Sequence, residues 1–484
     1  MITFLMGLGL LVVGGALYGA LCQRIFKPDD RETPAVKNND GVDFVPMKKW
    51  KNSLIQLLNI AGTGPILGPI QGILFGPIAF LTIPIGCVIG GAFHDYMSGM
   101  ISIRNDGDQM PGLIKRFLGK HVYAVYYLFI CLLMLLVGAV FVYTPGDLFV
   151  SEILKEKSSV DNPVLWIVYG VIFVYYIIAT LFPIDKIIGK VYPVFGGILL
   201  LSALGVFAGL FINGYELDEI WQTGIMNVHP QGLHFIPVFF VTVACGIVSG
   251  FHSTQSTLIS RTMKNEKEGR MTFYNMMLCE GFIAMTWAAA AMGVMKLGLA
   301  DASTSPTAVV GIVAKDLLGS VGGIIAIIGV IVLPITSGDT ALRSLRLMAA
   351  DGLKIDQTKK KNRLGLSLAI FILVAVLLVF SKMNSEGFNI LWRYFAWANQ
   401  TIAVFAFAMI AVYMMRRKMP FIMSLIPGMF YMFVISSFIL NAKIGFNLPW
   451  AVSYSVAGVL TIAYALCVLR TGKKESALMQ RTNK

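Results

Sequence analysis

The stretch NIAGTGPILGPIQG, residues 59–72, sits in a strongly apolar part of the chain yet carries Gly62, Gly64, Gly68 and Gly72 together with Pro65 and Pro69. Inside a helix a proline costs about 3 kcal/mol and a glycine about 1 kcal/mol. In lipid, the backbone groups that such a break frees must find partners within the protein. A span built this way is therefore expected to unwind at mid-depth and to line a cavity. Pro69 suits the first turn of a restarting helix. Free N–H groups from about Gly68 to Gly72 would then present a positive dipole end that favours an anion such as a carboxylate. The Gly64–Gly68 spacing also suits close helix packing, but two added prolines favour the break.

Working outward, the rest of the chain has the composition of a membrane protein. Of its 484 residues, 56% are hydrophobic and 13% charged, against about 25% charged in soluble domains. Apolar runs of membrane-crossing length predict thirteen spans, near 2–22, 53–75, 77–100, 121–143, 163–182, 190–212, 234–260, 272–296, 320–342, 364–382, 389–414, 420–440 and 449–469. The segment 306–319 has helical periodicity but is too short to cross, and residues 27–46 read as a polar linker. With the N-terminus outside, 32 of the 39 Lys and Arg fall in cytoplasmic segments, and the outside loop 214–233 has three acidic residues and no Lys or Arg. That asymmetry sets the orientation in a plasma membrane, with the C-terminus cytoplasmic. It also accounts for the net charge of +13 without a nucleic-acid partner. The six cysteines form no C-x-x-C pair, so neither a zinc ribbon nor a disulfide framework is expected. The first helix lacks a basic start and reads as uncleaved.

A second interrupted segment, VTVACGIVSGFHSTQSTLIS (241–260), has Gly246 and Gly250 at its centre, followed by His252, with Ser249, Ser253, Ser256 and Ser260 on one helical face. Five spans separate its start from that of the first, so it enters from the opposite side. Broken spans at corresponding places in two inverted halves point to a transporter site at the midplane. The expected organisation is an N-terminal helix and linker (1–52), two inverted five-helix repeats (53–213 and 234–414), and two further helices with a basic tail (420–484).

The motifs NIAGTGPILGPI, GAFHDYMSGMISIRNDG, ACGIVSGFHS, MMLCEGFIA and WANQ occur in one order over about residues 53–410. Together they resemble the carbon starvation protein A family. The resemblance implies a five-plus-five inverted-repeat fold like that of the amino acid–polyamine–organocation transporters. It also implies ion-coupled uptake of short peptides or pyruvate-like carboxylates during carbon starvation. The chain departs from the family where a His-His pair is expected: Ile55 and Gln56 stand there.

A charge at the bilayer centre costs roughly 2.5–3.5 kcal/mol, so each needs a reason. His94 and Asp95 are candidates for ion coupling. As helix neighbours about 100° apart they are not expected to face one spot. Glu280 lies near mid-depth with nothing basic within a turn, so it is expected to be protonated or to meet a partner from another helix. Thr336, Asp339 and Arg343 share a face, Asp339 and Arg343 in the favourable order for an i, i+4 pair. In the related superfamily two hydroxyls at the position of Thr336 and Ser337 complete a sodium site with first-helix carbonyls, here from about Ala61 to Gly64. Oxygen ligation suits a hard cation. The coupling ion is thus a proton or sodium, with the proton preferred because the chain offers more titratable groups than sodium ligands. Substrate contacts are expected from Gly62, Thr63, Gly64, Pro65, Gly68 and Pro69 on the first segment. From the second they are Gly246, Ser249, Gly250, His252 and Ser253, and from WANQ, Asn399 and Gln400. Arg393 is read as snorkelling to the interface. No other cofactor is expected. Two rival readings are a channel and an intramembrane metal-dependent enzyme using His94, Asp95 and His252. The chain has neither H-E-x-x-H nor G-x-S-x-G, and its two broken segments do not repeat a common filter sequence.

Overall fold

The computed structural model describes residues 1–40, 44–181, 185–224, 229–356, 359–384 and 386–482. Helices dominate it, and among the described residues the extended pairing is limited to one bridge, Met47 with Met263. Among the described residues, nine helices are long and apolar enough to cross a membrane, or ten when the bent pair Lys49–Ile60 and Gly64–Phe75 counts as one span. Pro163–Ala179 and Gly196–Ile212 are shorter apolar helices. Several spans run past their expected ends, as Lys120–Ile153 does against 121–143. The expected span 163–182 ends in residues outside those described.

The chain divides into two compact units. The first is built from Met1–Phe129, Asp218–Met285 and Asn399–Lys484. Its opening helix, Ile2–Phe26, buries one stripe: Phe4, Gly7, Leu11, Gly15, Gly19, Cys22 and Phe26. The glycines on that stripe permit close approach, since a Cβ on Gly7 would fall 1.9 Å from the Phe80 carbonyl oxygen. The opposite face leaves Val12 and Leu17 exposed, as a lipid-facing helix does.

The linker is more ordered than its polarity suggests. Thr33, Pro34 and Ala35 are buried, and the Thr33 hydroxyl donates to the Met263 carbonyl at 2.6 Å. Buried Glu266 accepts both Arg104 Nε (2.7 Å) and Nη2 (3.0 Å), and also the Asp29 amide at 2.9 Å. Asp29, Thr33 and Met47 thus tie the described parts of the linker to the end of the second interrupted segment.

The second unit comprises Ile130–Leu217 and Thr286–Ala398. Within it Pro306–Leu353 breaks at Gly319, whose φ of +70° is open to glycine at little cost. The break divides the short segment 306–319 from the span that follows, as its length predicts. Asp147 is buried there. It accepts a hydrogen bond from Tyr169 at 2.7 Å and pairs with Lys382 Nζ at 2.7 Å, and the ammonium lies 4.4 Å from the Tyr143 ring centroid.

Candidate functional site

Both interrupted segments are broken, and both lie in the first unit. The first changes direction by 47° at Ala61–Thr63. Its second half starts at Gly64 with Pro65 in the opening turn, and the Thr63 carbonyl accepts the amides of Ile66 (3.2 Å) and Leu67 (2.9 Å). This corrects the expected restart at Pro69. The preference of proline for a first turn is met one turn earlier, by Pro65. Pro69 is internal to the helix Gly64–Gly72, so the amides from Gly68 to Gly72 do not form an open anion site. The open ground lies at Gly62, where a Cβ would meet nothing within 4 Å, and at Thr63, whose buried hydroxyl has no hydrogen-bond partner.

The second segment leaves helical geometry over residues 243–249 and resumes at Gly250–Ile259. Gly246 takes φ +90°, and a Cβ there would fall 2.5 Å from that of Ala284. The freed backbone finds its partners in WANQ. Asn399 Oδ1 accepts the Phe251 amide at 2.8 Å, while Asn399 Nδ2 donates to Ser249 Oγ at 2.8 Å. Asn399 thus caps the resumed helix from another element, doing what a local cap residue ordinarily does. Gln400 Nε2 donates to the Phe240 carbonyl on the other side of the break. Asn399 and Gln400 therefore hold the break open. Ser253 donates its hydroxyl proton to the Gly250 carbonyl at 2.6 Å, whereas Ser249 Oγ accepts from Asn399 and does not use its own proton in that bond.

The two breaks meet. A Cβ on Gly64 would lie 2.3 Å from Cys245 Sγ, and one on Gly72 would lie 2.2 Å from a Val243 methyl. Beside this contact runs a buried polar chain. His94 Nδ1 and Asp95 Oδ1 are hydrogen-bonded at 2.9 Å. That corrects the expectation that these neighbours face apart, because both side chains are long enough to turn towards each other from adjacent backbone positions. Asp95 Oδ2 lies 3.2 Å from His252 Nδ1 and His252 Nε2 lies 3.6 Å from Glu280 Oε1, without hydrogen-bond alignment. Glu280 therefore meets its partner from another helix. All four side chains are buried, the His94 ring centroid lies 5.2 Å from that of Phe407, and neither Glu280 oxygen has a well-formed hydrogen bond.

Cys245 Sγ joins this cluster, with its sulfur and donor atoms of His252 and Glu280 all within 4.8 Å of one another. The mixture of sulfur, nitrogen and oxygen differs from the oxygen set expected for sodium. Of the residues named for a sodium site, Ala61 and Gly64 lie at the first break. Ser337 lies on Pro306–Leu353, in the second unit, as does the ion-coupling candidate Asp339, which pairs with Arg343 at 3.2 Å. The Thr336 side chain lies outside the described residues. Sequence reasoning missed Cys245 and Gln56. Gln56 Nε2 donates to Ser256 Oγ at 3.1 Å, and its place at the family's His-His position was the available signal.

A sequence model of the family described as carbon starvation protein CstA matches residues 1–213 and 146–324. The chain is 41% identical to an uncharacterized membrane protein of Haemophilus influenzae, over 59% of this chain and 89% of that one. It is 28% identical to the peptide transporter CstA of Helicobacter pylori and 27% identical to the pyruvate/proton symporter BtsT of Escherichia coli. Each alignment covers 61% of this chain, and they cover 51% and 49% of those relatives. The chain thus spans about half the length of the named transporters. Among solved structures, a manganese transporter of Eremococcus coleocola superposes with a TM-score of 0.61 at 11% identity, covering 92% of this chain and 99% of that one. At that identity the likeness concerns the fold.

Proposed function

The chain belongs to the carbon starvation protein CstA family, and from that premise we propose that it is a proton-coupled importer of a small carboxylate, either a pyruvate-like acid or a short peptide. The observation that carries the reading is the meeting of two broken segments beside the buried chain Asp95–His252–Glu280. The substrate carboxylate would bind at Gly62–Thr63, where space and an unpartnered hydroxyl coincide. Gly64, the next residue, touches Cys245, which stands beside His252 and Glu280. His252 stands between the two carboxylates and as an imidazolium can balance one of them; Asp95 also has His94 at 2.9 Å, so the second is Glu280. The second is neutralised by a proton or left as a negative charge facing the incoming anion. At a separation on the order of 8 Å and an effective dielectric of about 20, two like charges repel by about 2 kcal/mol, roughly thirty-fold in affinity. Protonation removes that repulsion, and the coupling is reciprocal, so proton and carboxylate favour each other's binding. The proton symporter among the relatives supports this choice of ion.

We also infer thirteen spans in two inverted halves. The two broken segments and the two shorter apolar helices, added to the nine long ones, support that count. The distribution of Lys and Arg supports an outside N-terminus.

Purified protein in liposomes tests the substrate class. Pyruvate, its amide and a dipeptide would compete against labelled uptake. The acid or the dipeptide is expected to compete at least about ten-fold better than the amide, which lacks the charge that the site senses. Equal competition by the amide would remove the carboxylate mechanism. The junction of the breaks has its own test. Gly64→Ala forces a methyl against Cys245, and overpacking of this kind costs about 1–3 kcal/mol. Uptake is expected to fall about ten-fold or more, with recovery in the Gly64→Ala, Cys245→Gly double variant. No recovery would place the defect away from that contact.

A further inference from the structure

The second unit carries a cluster of arginines. Arg343 and Arg346 lie one turn apart on Pro306–Leu353, on the same helical face. Arg363 lies in the first turn of Lys360–Met383, a helix that packs against Pro306–Leu353. Arg343 and Arg363 are both close enough to Arg346 to act on it electrostatically. Among the described residues the carboxylate acting on Arg346 is Asp339, and Arg343 already holds that group at 3.2 Å.

Arg346 is 5% exposed, and its Nε and Nη1 have no hydrogen-bond partner; the buried Nε of Arg363 has none either. A guanidinium cannot shed its charge as a lysine can, and a buried charge without a partner is strongly destabilising. Arg346, with open N–H donors and within electrostatic reach of Arg363 on the packed neighbouring helix, is complementary to an oxyanion. Planar guanidinium forks match phosphate in two-pronged fashion. Position adds to the argument. Arg346 lies about one turn before Ala350, where the apolar span ends, in a stretch, residues 343–363, with seven basic residues against two acidic ones. That places the open donors at headgroup depth on the side towards which basic loops are drawn.

We propose that Arg346 and Arg363, with Arg343 beside them, form a binding site for a phosphate-class anion. A lipid phosphodiester headgroup and free inorganic phosphate share this chemistry, and their sources separate in the test. Thermal unfolding of the full chain would be followed in nanodiscs of phosphatidylglycerol and of phosphatidylcholine, and in detergent with and without inorganic phosphate. A ligand that binds the folded state raises the midpoint in proportion to its occupancy. The wild type is expected to unfold at a higher temperature in phosphatidylglycerol than in phosphatidylcholine. Arg346→Gln is expected to erase that difference without lowering the midpoint in phosphatidylcholine, because it removes an unmatched charge. Lys418→Gln, in another basic loop, is expected to keep the difference. A rise with inorganic phosphate that also depends on Arg346 would identify the free anion as a sufficient ligand. A rise with phosphatidylglycerol alone would identify the lipid. Retention of the full lipid-dependent rise in Arg346→Gln, or an equal fall in both lipids, would overturn the site. If Arg346→Gln does not yield folded protein, Arg363→Gln is read by the same criteria.

Discussion

Glu280→Gln is expected to turn an accumulating transporter into an equilibrating one. With one proton carried per substrate, a gradient of one pH unit sustains about ten-fold accumulation, since one unit corresponds to 1.36 kcal/mol. The glutamine keeps the shape of the side chain and carries no titratable proton, so the ratio of inside to outside substrate should fall to about one. Exchange of labelled for unlabelled substrate should continue, because the breaks and their caps at Asn399 and Gln400 are untouched. The measurement is liposome uptake driven by an imposed pH gradient, with exchange run in parallel. Loss of both activities would mark Glu280 as structural, and full accumulation in the variant would exclude it from coupling. Accumulation that requires sodium and ignores a proton ionophore would move the coupling to a sodium site. The same liposomes separate the substrates. A monoanion carried with one proton moves no net charge and should ignore membrane potential, whereas a zwitterionic dipeptide carried with one proton should be driven by it.

The largest effect on stability is expected at the Asp147–Lys382 pair. Both side chains are under a tenth exposed, and the pair is surrounded by Tyr169, Tyr143 and Ser158. Removing one member of a buried pair leaves the other uncompensated and costs about 3–5 kcal/mol. Lys382→Met should therefore lower the unfolding midpoint sharply, by on the order of 10 °C. Asp147→Asn should do much the same from the other side. The double variant Asp147→Asn, Lys382→Met should recover most of the loss, because it buries neutral groups of similar volume. Additive losses in the double variant would show that the pair is not where the stability resides.

Where the chain breaks was legible in its sequence, because glycine and proline act locally and their cost is the same in any fold. The register of the first break was less so. Pro65 and Pro69 are equally able to open a helix, and contact with Cys245, some 180 residues away, goes with the choice of Gly64. The pairing of His252 with Glu280 could be stated as a need, since a lone buried carboxylate requires a partner, but the partner lies on another helix and had to be seen. The His94–Asp95 contact was misjudged because helical geometry describes where Cβ atoms point and not how far the groups beyond them turn. Glu266 and Asp147 carried no local signal at all. Their partners, Arg104 and Lys382, lie 162 and 235 residues away.

The cap supplied by Asn399 has a consequence for how the protein is made. The amide of Phe251 waits for an acceptor that lies 148 residues further along the chain. At about 5–20 residues per second of synthesis, the second break is without its cap for roughly 7–30 s after it has left the ribosome. During that interval its open backbone has no partner from this chain at the position where Asn399 will dock, and hydrocarbon offers none. The nascent segment must therefore be held near water or by the insertion machinery until the later stretch arrives, and the first unit closes only when its third portion of chain has been delivered.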